Sequence, residues 1–241
     1  MNKIIEKLRD DEHYYGDFGR KYISNSDIDK LINDPKSFRK PSFKTTPMLY
    51  GGYFHTAILE PEKIGNYKVV DASTRNTKIY KDACNGGEML LLSKEVEEIR
   101  KMVGTIEGVF GEMIHAEGNV FELPAIGQPI EGEVMFKGKA DIVSDEFVLD
   151  LKTTGDIRKF KYSARTYNYD SQAYIYEKLF GKRMRFLVID KSTLNLGLFD
   201  VSDEFLDGGR AKVCQAIEQY NKFFGENPTD SVRNYYINGL L

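Results

Sequence analysis

The feature that most constrains the fold is a hairpin-like stretch, GKADIVSDEFVLDLKTT, at residues 138–154. Its two apolar runs have the alternation expected of β-strands, and the polar SDE segment between them is typical of a turn. In the second run, the two-residue period of a strand places Asp150 and Lys152 on one face and the two leucines on the other. The sequence therefore predicts a β-hairpin with charged side chains on one face and a hydrophobic core on the other.

A turn of two or four residues between these strands places Asp141 directly across from Asp150, whereas a three-residue turn breaks this register. Facing carboxylates lie about 5 Å apart at Cβ and repel each other. A shared proton or a bridging cation removes that repulsion, and Mg²⁺ is suited to the task because it prefers oxygen ligands. Lys152 would lie beside the pair and position or deprotonate a water, or stabilise negative charge on a phosphate. A polar, solvent-facing strand edge is the alternative.

The rest of the chain has helical and strand-like periodicity in alternation. The predicted helices run from Ser24 to Pro35, from Thr46 to Pro61, from Glu88 to Phe110, from Ser163 to Phe180 and from Ser202 to Phe224. The predicted strands are Val120–Leu123, Ile130–Phe136, Lys139–Val143, Phe147–Leu151, Arg185–Ile189 and Leu194–Val201. Residues 1–20 are polar and are expected to be partly loose, and residues 62–90 show no clear pattern. This order predicts an α/β fold of the mixed α+β kind, with a central mixed β-sheet flanked by helices.

The length of 241 residues is sufficient for one sizeable core. We expect a single domain with a helical arm (1–46), a core (47–224) and a C-terminal tail (225–241). No apolar run is long enough to cross a bilayer, and the N-terminus lacks the apolar region of a signal peptide, so a cytoplasmic protein is predicted. Two isolated cysteines, Cys84 and Cys214, argue against a disulfide scaffold, a cysteine zinc site or an iron–sulfur cluster.

The formal net charge of −3 argues against a basic coat over the whole surface, but the bases are unevenly distributed. Two stretches without acids contain most of the candidate phosphate-binding side chains. The first holds Lys36, Arg39, Lys40 and Lys44, and the second holds Arg158, Lys159, Lys161 and Arg165. Either stretch alone is also compatible with an ordinary solvated face.

Four segments of the sequence together resemble the motifs of one nuclease superfamily. They are Gly138-x-x-Asp141 with Asp150-Leu151-Lys152, the Gln172-x-x-x-Tyr176 pair, GGYFHTAILEPE and ISNSDIDKLINDPKSF. The first resembles the core motif of PD-(D/E)XK nucleases, and the second resembles the QxxxY motif of their RecB-type branch. The third and fourth are similar to segments of the RecE-like exonucleases (exodeoxyribonuclease VIII-like). The resemblance extends from about residue 23 to residue 180 and implies a restriction-endonuclease-like core.

This resemblance implies a role for each matching residue. The implied metal ligands are His55, Asp141, Asp150 and the carbonyl of Leu151, and the implied catalytic lysine is Lys152. Without that context, His55 would more often be an ordinary helix residue. An upstream acid orients a water in this branch, and Glu133 is preferred over Glu131 for it. Gln172 and Tyr176 lie four residues apart on one helical face and are expected near the active site.

The implied function is a Mg²⁺-dependent (or Mn²⁺-dependent) exodeoxyribonuclease that degrades duplex DNA from its ends in the 5′ to 3′ direction. Relatives of this kind leave 3′ single strands for recombination, act as ring-shaped oligomers and work with a single-strand annealing protein, often encoded by a phage. No Walker-type phosphate loop occurs, so no ATP-driven motor is expected. A nuclease for single-stranded or flapped DNA, or a catalytically silent DNA-binding module, remains as an alternative.

Overall fold

Helices and strands alternate along the chain in this computed structural model, which describes residues 3–41 and 45–238. The helices are α1 (Lys3–Leu8), α2 (Asp11–Tyr15), α3 (Asn25–Asn33), α4 (Thr46–Leu59), α5 (Lys78–Cys84), α6 (Ser93–Ile114), α7 (Phe160–Thr166), α8 (Tyr169–Phe180) and α9 (Asp203–Phe223). The strands are β1 (Val69–Val70), β2 (Leu91–Leu92), β3 (Val120–Gly127), β4 (Phe136–Val143), β5 (Phe147–Thr154), β6 (Arg183–Asp190) and β7 (Leu196–Asp200). None of the described helices is both long enough and apolar enough to cross a membrane.

The main sheet contains β3 to β7 in chain order, and β1 and β2 form a separate parallel pair. Neighbouring strands of the main sheet are antiparallel except for β5 and β6. A parallel neighbour requires a crossover connection, which α7 and α8 supply. The predicted mixed α/β fold, a mixed sheet flanked by helices, is therefore confirmed.

Each face of the main sheet is covered by a hydrophobic layer, so the central strands are buried on both sides. Val148 and Phe186 pack with residues of α3, α8 and α9. Leu149 and Leu151 lie on the opposite face of β5 from Val148, and they pack with residues of α4 and α6. This two-sided burial places α8 against one face of β5 and α4 against the other.

The hairpin has the register that the sequence predicts for facing carboxylates. Val143 pairs with Val148, and Ile142 pairs with Leu149. The four-residue turn 144–147 is closed by the hydrogen bond from the Ser144 amide to the Phe147 carbonyl, at 3.0 Å. One step further from the turn, Asp141 lies opposite Asp150.

Besides differences of a few residues at the ends of elements, three predictions about secondary structure were wrong. The predicted strand Ile130–Phe136 begins only at Phe136, because residues 130–133 form a turn with Gly132 at a φ of 79°. The helix predicted from Ser163 to Phe180 is divided into α7 and α8 by Asn168, which has a left-handed φ of 58°. The N-terminal residues expected to be loose contain α1 and α2. Ile23, just beyond them, forms a parallel bridge with Phe136. The division into arm, core and tail stays a prediction.

Candidate active site

The candidate site lies where β4 and β5 separate. The two strands pair only next to their turn, and the pairing ends at Ile142 and Leu149, although β4 and β5 both continue. Beyond that point, the Leu151 amide donates to Asp141 Oδ2 at 2.7 Å instead of to a strand carbonyl. The facing carboxylates of Asp141 and Asp150 therefore lie in a gap within the sheet, and both are almost fully buried.

Asp141 is held from two sides. In addition to the Leu151 amide, His55 Nδ1 in the middle of α4 contacts Asp141 Oδ2 at 3.1 Å. Burial acts to raise the pKa of Asp141, but the charges of His55 and Lys152 and the Leu151 amide lower it below its usual value. For His55, burial acts to lower the pKa, and the neighbouring Asp141 carboxylate outweighs it and raises the pKa.

Asp150 has the opposite electrostatic balance. Gln172 Nε2 donates to its Oδ1 at 2.5 Å, and the Lys152 ammonium forms an ion pair with its Oδ2. Burial and the nearby Asp141 raise the pKa of Asp150, although Lys152 partly offsets this. The two facing carboxylates are thus unequal: their surroundings favour the charged form of Asp141 and disfavour the charged form of Asp150.

Lys152 contacts both the Asp150 carboxylate and the aromatic ring of Tyr169. Its side chain is 15% exposed, and its Nζ lies 4.7 Å from the ring centroid of Tyr169. Burial acts to lower the pKa of Lys152, but Asp150 and Asp141 raise it above the usual value. Lys152 is therefore a fixed positive charge at neutral pH, which favours charge stabilisation over proton abstraction among the roles predicted for it.

Glu122 is an acid at this site that the sequence reasoning missed. Its neighbours Phe121 and Leu123 pair with Ile142 and Ala140, so Glu122 lies across from Asp141. The pair itself is skipped, and Glu122 has a left-handed φ of 48°, which is rare for a residue with a side chain. Burial and the charge of Asp141 raise the pKa of Glu122 to about 7. An acid inside the apolar run VFELPAI was the available signal.

The two residues of the QxxxY motif form hydrogen bonds between α8 and the strands β4 and β5. Gln172 reaches Asp150, as described above, and the Tyr176 hydroxyl donates to the Lys139 carbonyl at 2.9 Å. The Lys139 amide donates back to the same hydroxyl at 3.3 Å. Gly138 permits this close approach, because an added Cβ would lie 2.7 Å from the Tyr176 ring. Both motif residues are thus placed to position the site.

The donor set suits a divalent cation, although the side chains are paired with each other. Within the described residues, no three His, Cys, Asp or Glu side chains form a ready metal-ion cage. His55 contacts the carboxylate of Asp141, and Lys152 forms an ion pair with the carboxylate of Asp150. Asp150 Oδ2 is nevertheless a buried oxygen without an aligned hydrogen-bond donor among the described residues. Such an oxygen, beside a second carboxylate and an imidazole, fits a hard cation such as Mg²⁺.

The remaining candidates lie outside this cluster. Glu133 is in the turn before β4, and its carboxylate accepts a hydrogen bond from Asn221 of α9 at 3.1 Å, so the structure does not bring it to the site. Lys40 is exposed, and Lys44 lies outside the described residues. The Leu151 carbonyl as a metal ligand stays a prediction.

The predicted basic segment after β5 lies on the surface next to the site. Arg158 and Lys159 are 87% and 79% exposed and both contact Asp156. Arg165 pairs with Glu204 at 3.2 Å, and the Lys161 ammonium lies 4.9 Å from the ring centroid of Tyr162. These side chains do not contact the carboxylate cluster. Along the sequence, only residues 153–157 separate Lys152 from Arg158, the first of them.

A mixed sheet with Asp141, Asp150 and Lys152 on adjacent strands, and a helix that carries the QxxxY pair, defines a PD-(D/E)XK domain. The chain belongs to the family described as a PDDEXK-like domain of unknown function (DUF3799), which matches residues 30–230. No curated protein matches the chain in sequence.

One solved structure with the same fold comes from a bacterial protein. The chain is similar to a provisionally named exonuclease from Eubacterium rectale, with a TM-score of 0.64 and 16% identity over 96% of this chain and 95% of that one. A phage related exonuclease from Haemophilus somnus 129PT gives a TM-score of 0.36 and 15% identity over 83% and 94% of the two chains. At 16% identity, the likeness to the Eubacterium rectale protein is one of fold.

Proposed function

We propose that this protein is a metal-dependent deoxyribonuclease that hydrolyses phosphodiester bonds at the gap between β4 and β5. The observation that carries the proposal is the buried pair of Asp141 and Asp150 with the Lys152 ammonium beside it. A sheet interior tolerates such a group of charges only when the charges are paired, and the pairing here leaves Asp150 Oδ2 without an aligned donor.

In this proposal, His55, Asp141, Asp150 and the Leu151 carbonyl hold Mg²⁺, or Mn²⁺ in its place. When bound, the cation supplies electrostatic stabilisation for the charge that develops on the phosphate. Gln172 keeps Asp150 oriented through its 2.5 Å hydrogen bond, and Tyr176 fixes β4 against α8. Glu122, across from Asp141, adds a third carboxylate that can orient water.

Lys152 stabilises the negative charge of the pentavalent phosphate. Its raised pKa keeps the ammonium protonated, and the neighbouring carboxylates hold it in place before substrate binds. The Lys152 side chain also contacts Tyr169, so its orientation is limited by packing. Removal of this one charge should therefore reduce catalysis much more than it reduces DNA affinity.

The proposed substrate is DNA, degraded from duplex ends in the 5′ to 3′ direction to leave 3′ single strands for recombination. The exonuclease name of the similar Eubacterium rectale protein supports action at ends. Arg158, Lys159, Lys161, Arg165 and Lys40 are proposed to contact the phosphate backbone, as is Lys44. A ring-shaped oligomer, a single-strand annealing partner and a cytoplasmic location are further parts of the proposal.

Digestion of linear duplex DNA that carries a label at either the 5′ or the 3′ end tests this function. Wild type is expected to release the 5′ label as nucleotides in Mg²⁺ but not in EDTA. Lys152→Ala is expected to release none, whereas Lys101→Ala, which removes an exposed lysine of α6, should digest the DNA as wild type does.

Other results would change the proposal in defined ways. Release of the 3′ label first would reverse the polarity, and digestion of only single-stranded or flapped DNA would replace the substrate. If wild type binds DNA in Mg²⁺ but cleaves none of these substrates, the protein is a silent binding module. Wild-type cleavage by Lys152→Ala would contradict the site assignment.

A further inference from the structure

The corner between α7 and α8 is an unusual piece of backbone next to the proposed active site. Tyr167 and Asn168 lie between the two helices, and Asn168 has a left-handed φ of 58°. Asparagine adopts this conformation more readily than other residues with a Cβ, because its short polar side chain can form local hydrogen bonds. The corner divides what would otherwise be one helix, and it presents Tyr167 and Tyr169 on its two sides.

This corner is fastened by three parts of the structure. Asn25 Nδ2 of α3 donates to the Asn168 carbonyl at 3.0 Å, and Ser171 Oγ of α8 donates to the same carbonyl at 3.0 Å. Lys212 Nζ of α9 donates to Asn168 Oδ1 at 2.8 Å. These hydrogen bonds fix the position of the corner, and with it the positions of Tyr167 and Tyr169.

The two tyrosines form an aromatic path that begins at Lys152 and ends at the surface. The Tyr169 ring lies 4.7 Å from Lys152 Nζ and is 5.7 Å from the Phe186 ring in the core. The Tyr167 ring follows at 5.9 Å from Tyr169, with an interplanar angle of 41°. Tyr167 itself is 65% exposed. A large aromatic face is therefore held open to solvent, one ring away from the lysine.

We propose that Tyr167 is a stacking platform for an unpaired base of the DNA strand whose phosphate is cleaved at Lys152. The proposal rests on the nuclease function proposed above and specifies which DNA conformation the site accepts. Aromatic side chains bind bases through their π-faces, and every base has such a face. Inside a duplex those faces are covered by neighbouring base pairs, so a base can stack on Tyr167 only at an end, and an unpaired base of a frayed or single-stranded end can reach the ring without its complementary strand.

The cations around the corner fit the same ligand. Lys161 and Arg165 belong to α7, which ends directly before Tyr167. A backbone that follows these cations would keep its phosphates near positive charge and leave its bases free to reach the aromatic path. Aromatic and basic side chains thus meet at the corner in the combination that single-stranded nucleic acids require.

Tyr162, in the helix that ends directly before Tyr167, provides a matched control. It is 66% exposed, almost the same as Tyr167, but the described ring contacts of Tyr162 are to Lys161 and do not include Tyr169. Substitution of either tyrosine removes an exposed aromatic side chain from the surface. Only substitution of Tyr167 interrupts the path to Lys152.

The first test measures stacking directly with 2-aminopurine, a fluorescent base that is quenched when it stacks. Oligonucleotides with a single-stranded end carry the probe at each of the terminal positions in turn, and Ca²⁺ replaces Mg²⁺ so that binding is observed. Wild type, Tyr167→Phe and Tyr162→Ala are expected to quench the probe at the same position. Tyr167→Ala is expected to lose that quenching and to bind about 5- to 100-fold more weakly.

A second test removes the base instead of the tyrosine. An abasic site at the quenched position should weaken wild-type binding to the level of Tyr167→Ala, and it should have little further effect on that variant. Equal effects of the abasic site on wild type and Tyr167→Ala would overturn the stacking proposal, as would wild-type quenching by Tyr167→Ala.

The two proposals fail in different ways. If wild type cleaves DNA in Mg²⁺ while Tyr167→Ala quenches and binds as wild type does, only the stacking proposal is overturned. If wild type neither binds nor cleaves any of the DNA substrates, the nuclease function is overturned and the stacking proposal with it.

Discussion

Glu122, Asp141 and Asp150 bring three carboxylates close to the imidazole of His55 and the ammonium of Lys152. The surroundings shift the pKa values of these three acids in different directions. Burial raises the pKa of Glu122 and Asp150, whereas His55 and Lys152 overcome burial at Asp141 and lower its pKa. Two of the three acids are therefore less stable as anions in the folded protein than in water, which is common where residues are kept for function.

The first prediction concerns the stability cost of Glu122. Its pKa is about 7 in the folded protein and 4.5 ordinarily, so the folded state binds more protons than the unfolded state between these values. Stability should therefore fall as pH rises through this window. In EDTA above pH 7, Glu122→Gln should be more stable than wild type by ~1–3 kcal/mol. The difference should vanish below pH 4.5. Urea unfolding at a series of pH values measures it.

Glu133→Gln is the matched control for this variant. Glu133 hydrogen-bonds Asn221 and lies outside the carboxylate cluster, so Glu133→Gln should unfold in the same urea series as wild type does. The same two variants also test which acid contributes to catalysis. Glu122→Gln should reduce DNA cleavage, and Glu133→Gln should not. The reverse result would return the role of upstream acid to Glu133.

The arrangement of the candidate residues on the hairpin was predictable because a strand alternates with a period of two. Once Asp141 and Asp150 share a register, their facing carboxylates and the position of Lys152 follow. Glu122 was not predictable in the same way. It lies on a strand that reaches Asp141 only through the pairing of β3 with β4, and its left-handed backbone has no sequence signature.

At the scale of elements, the contact between α8 and β4 controls the geometry of the site. Gly138 has no side chain at the place where Tyr176 and Leu179 pack on the strand, and a Cβ there would be 2.7 Å and 3.2 Å from these side chains. Any residue larger than glycine must displace the helix or the strand. Because Gln172 is on the same helix, such a shift would also move the hydrogen bond to Asp150.

The second prediction follows from this contact. Gly138→Ala should lower the free energy of unfolding by ~1–3 kcal/mol through overpacking and should also reduce cleavage. Gly104→Ala should have the opposite sign: a Cβ at this position in α6 meets nothing within 4 Å, so helix propensity should stabilise it by ~0.5–1 kcal/mol. Chemical denaturation measures both values. A stable, fully active Gly138→Ala variant would contradict the proposed importance of this contact.

Element types were predictable where periodicity was long, as in α4, α6 and α9, and boundaries failed where one residue changed the backbone. Asn168 divides the predicted helix because contacts from α3 and α9 hold it in a left-handed conformation. These contacts join residues more than forty positions apart, so no local pattern could reveal them. The turn at residues 130–133 was predicted to be a strand for a different reason: Glu131 and Glu133 alternate as strand residues do.

At the scale of the whole molecule, the folded state should be stabilised by the cation that it binds. The paired carboxylates repel each other in the unoccupied fold, and a ligand of the folded state shifts the unfolding equilibrium by mass action. This gives the third prediction. At a Mg²⁺ concentration of about 100 times Kd, the expected stabilisation is about 2.7 kcal/mol. For a chain of this length, that stabilisation raises Tm by roughly 5–10 °C.

Asp141→Asn should abolish most of this increase, because it removes one of the facing charges. Asp145→Asn provides the control, since Asp145 is exposed in the turn of the same hairpin. Thermal unfolding in Mg²⁺ and in EDTA compares the three proteins. Equal increases in all of them would place the cation elsewhere on the molecule.

The most direct test of the central claim is the rate of cleavage by Asp150→Asn under conditions in which it binds duplex DNA as well as wild type does. Asp150 is a buried carboxylate beside Asp141 and Lys152 in the proposed metal site, so loss of its charge should remove catalysis and leave DNA binding intact. We expect wild type to release nucleotides in Mg²⁺, and the variant to be slower by ~10²-fold or more. Cleavage by the variant at the wild-type rate, or equal cleavage by wild type in EDTA, would contradict the proposed metal-dependent centre.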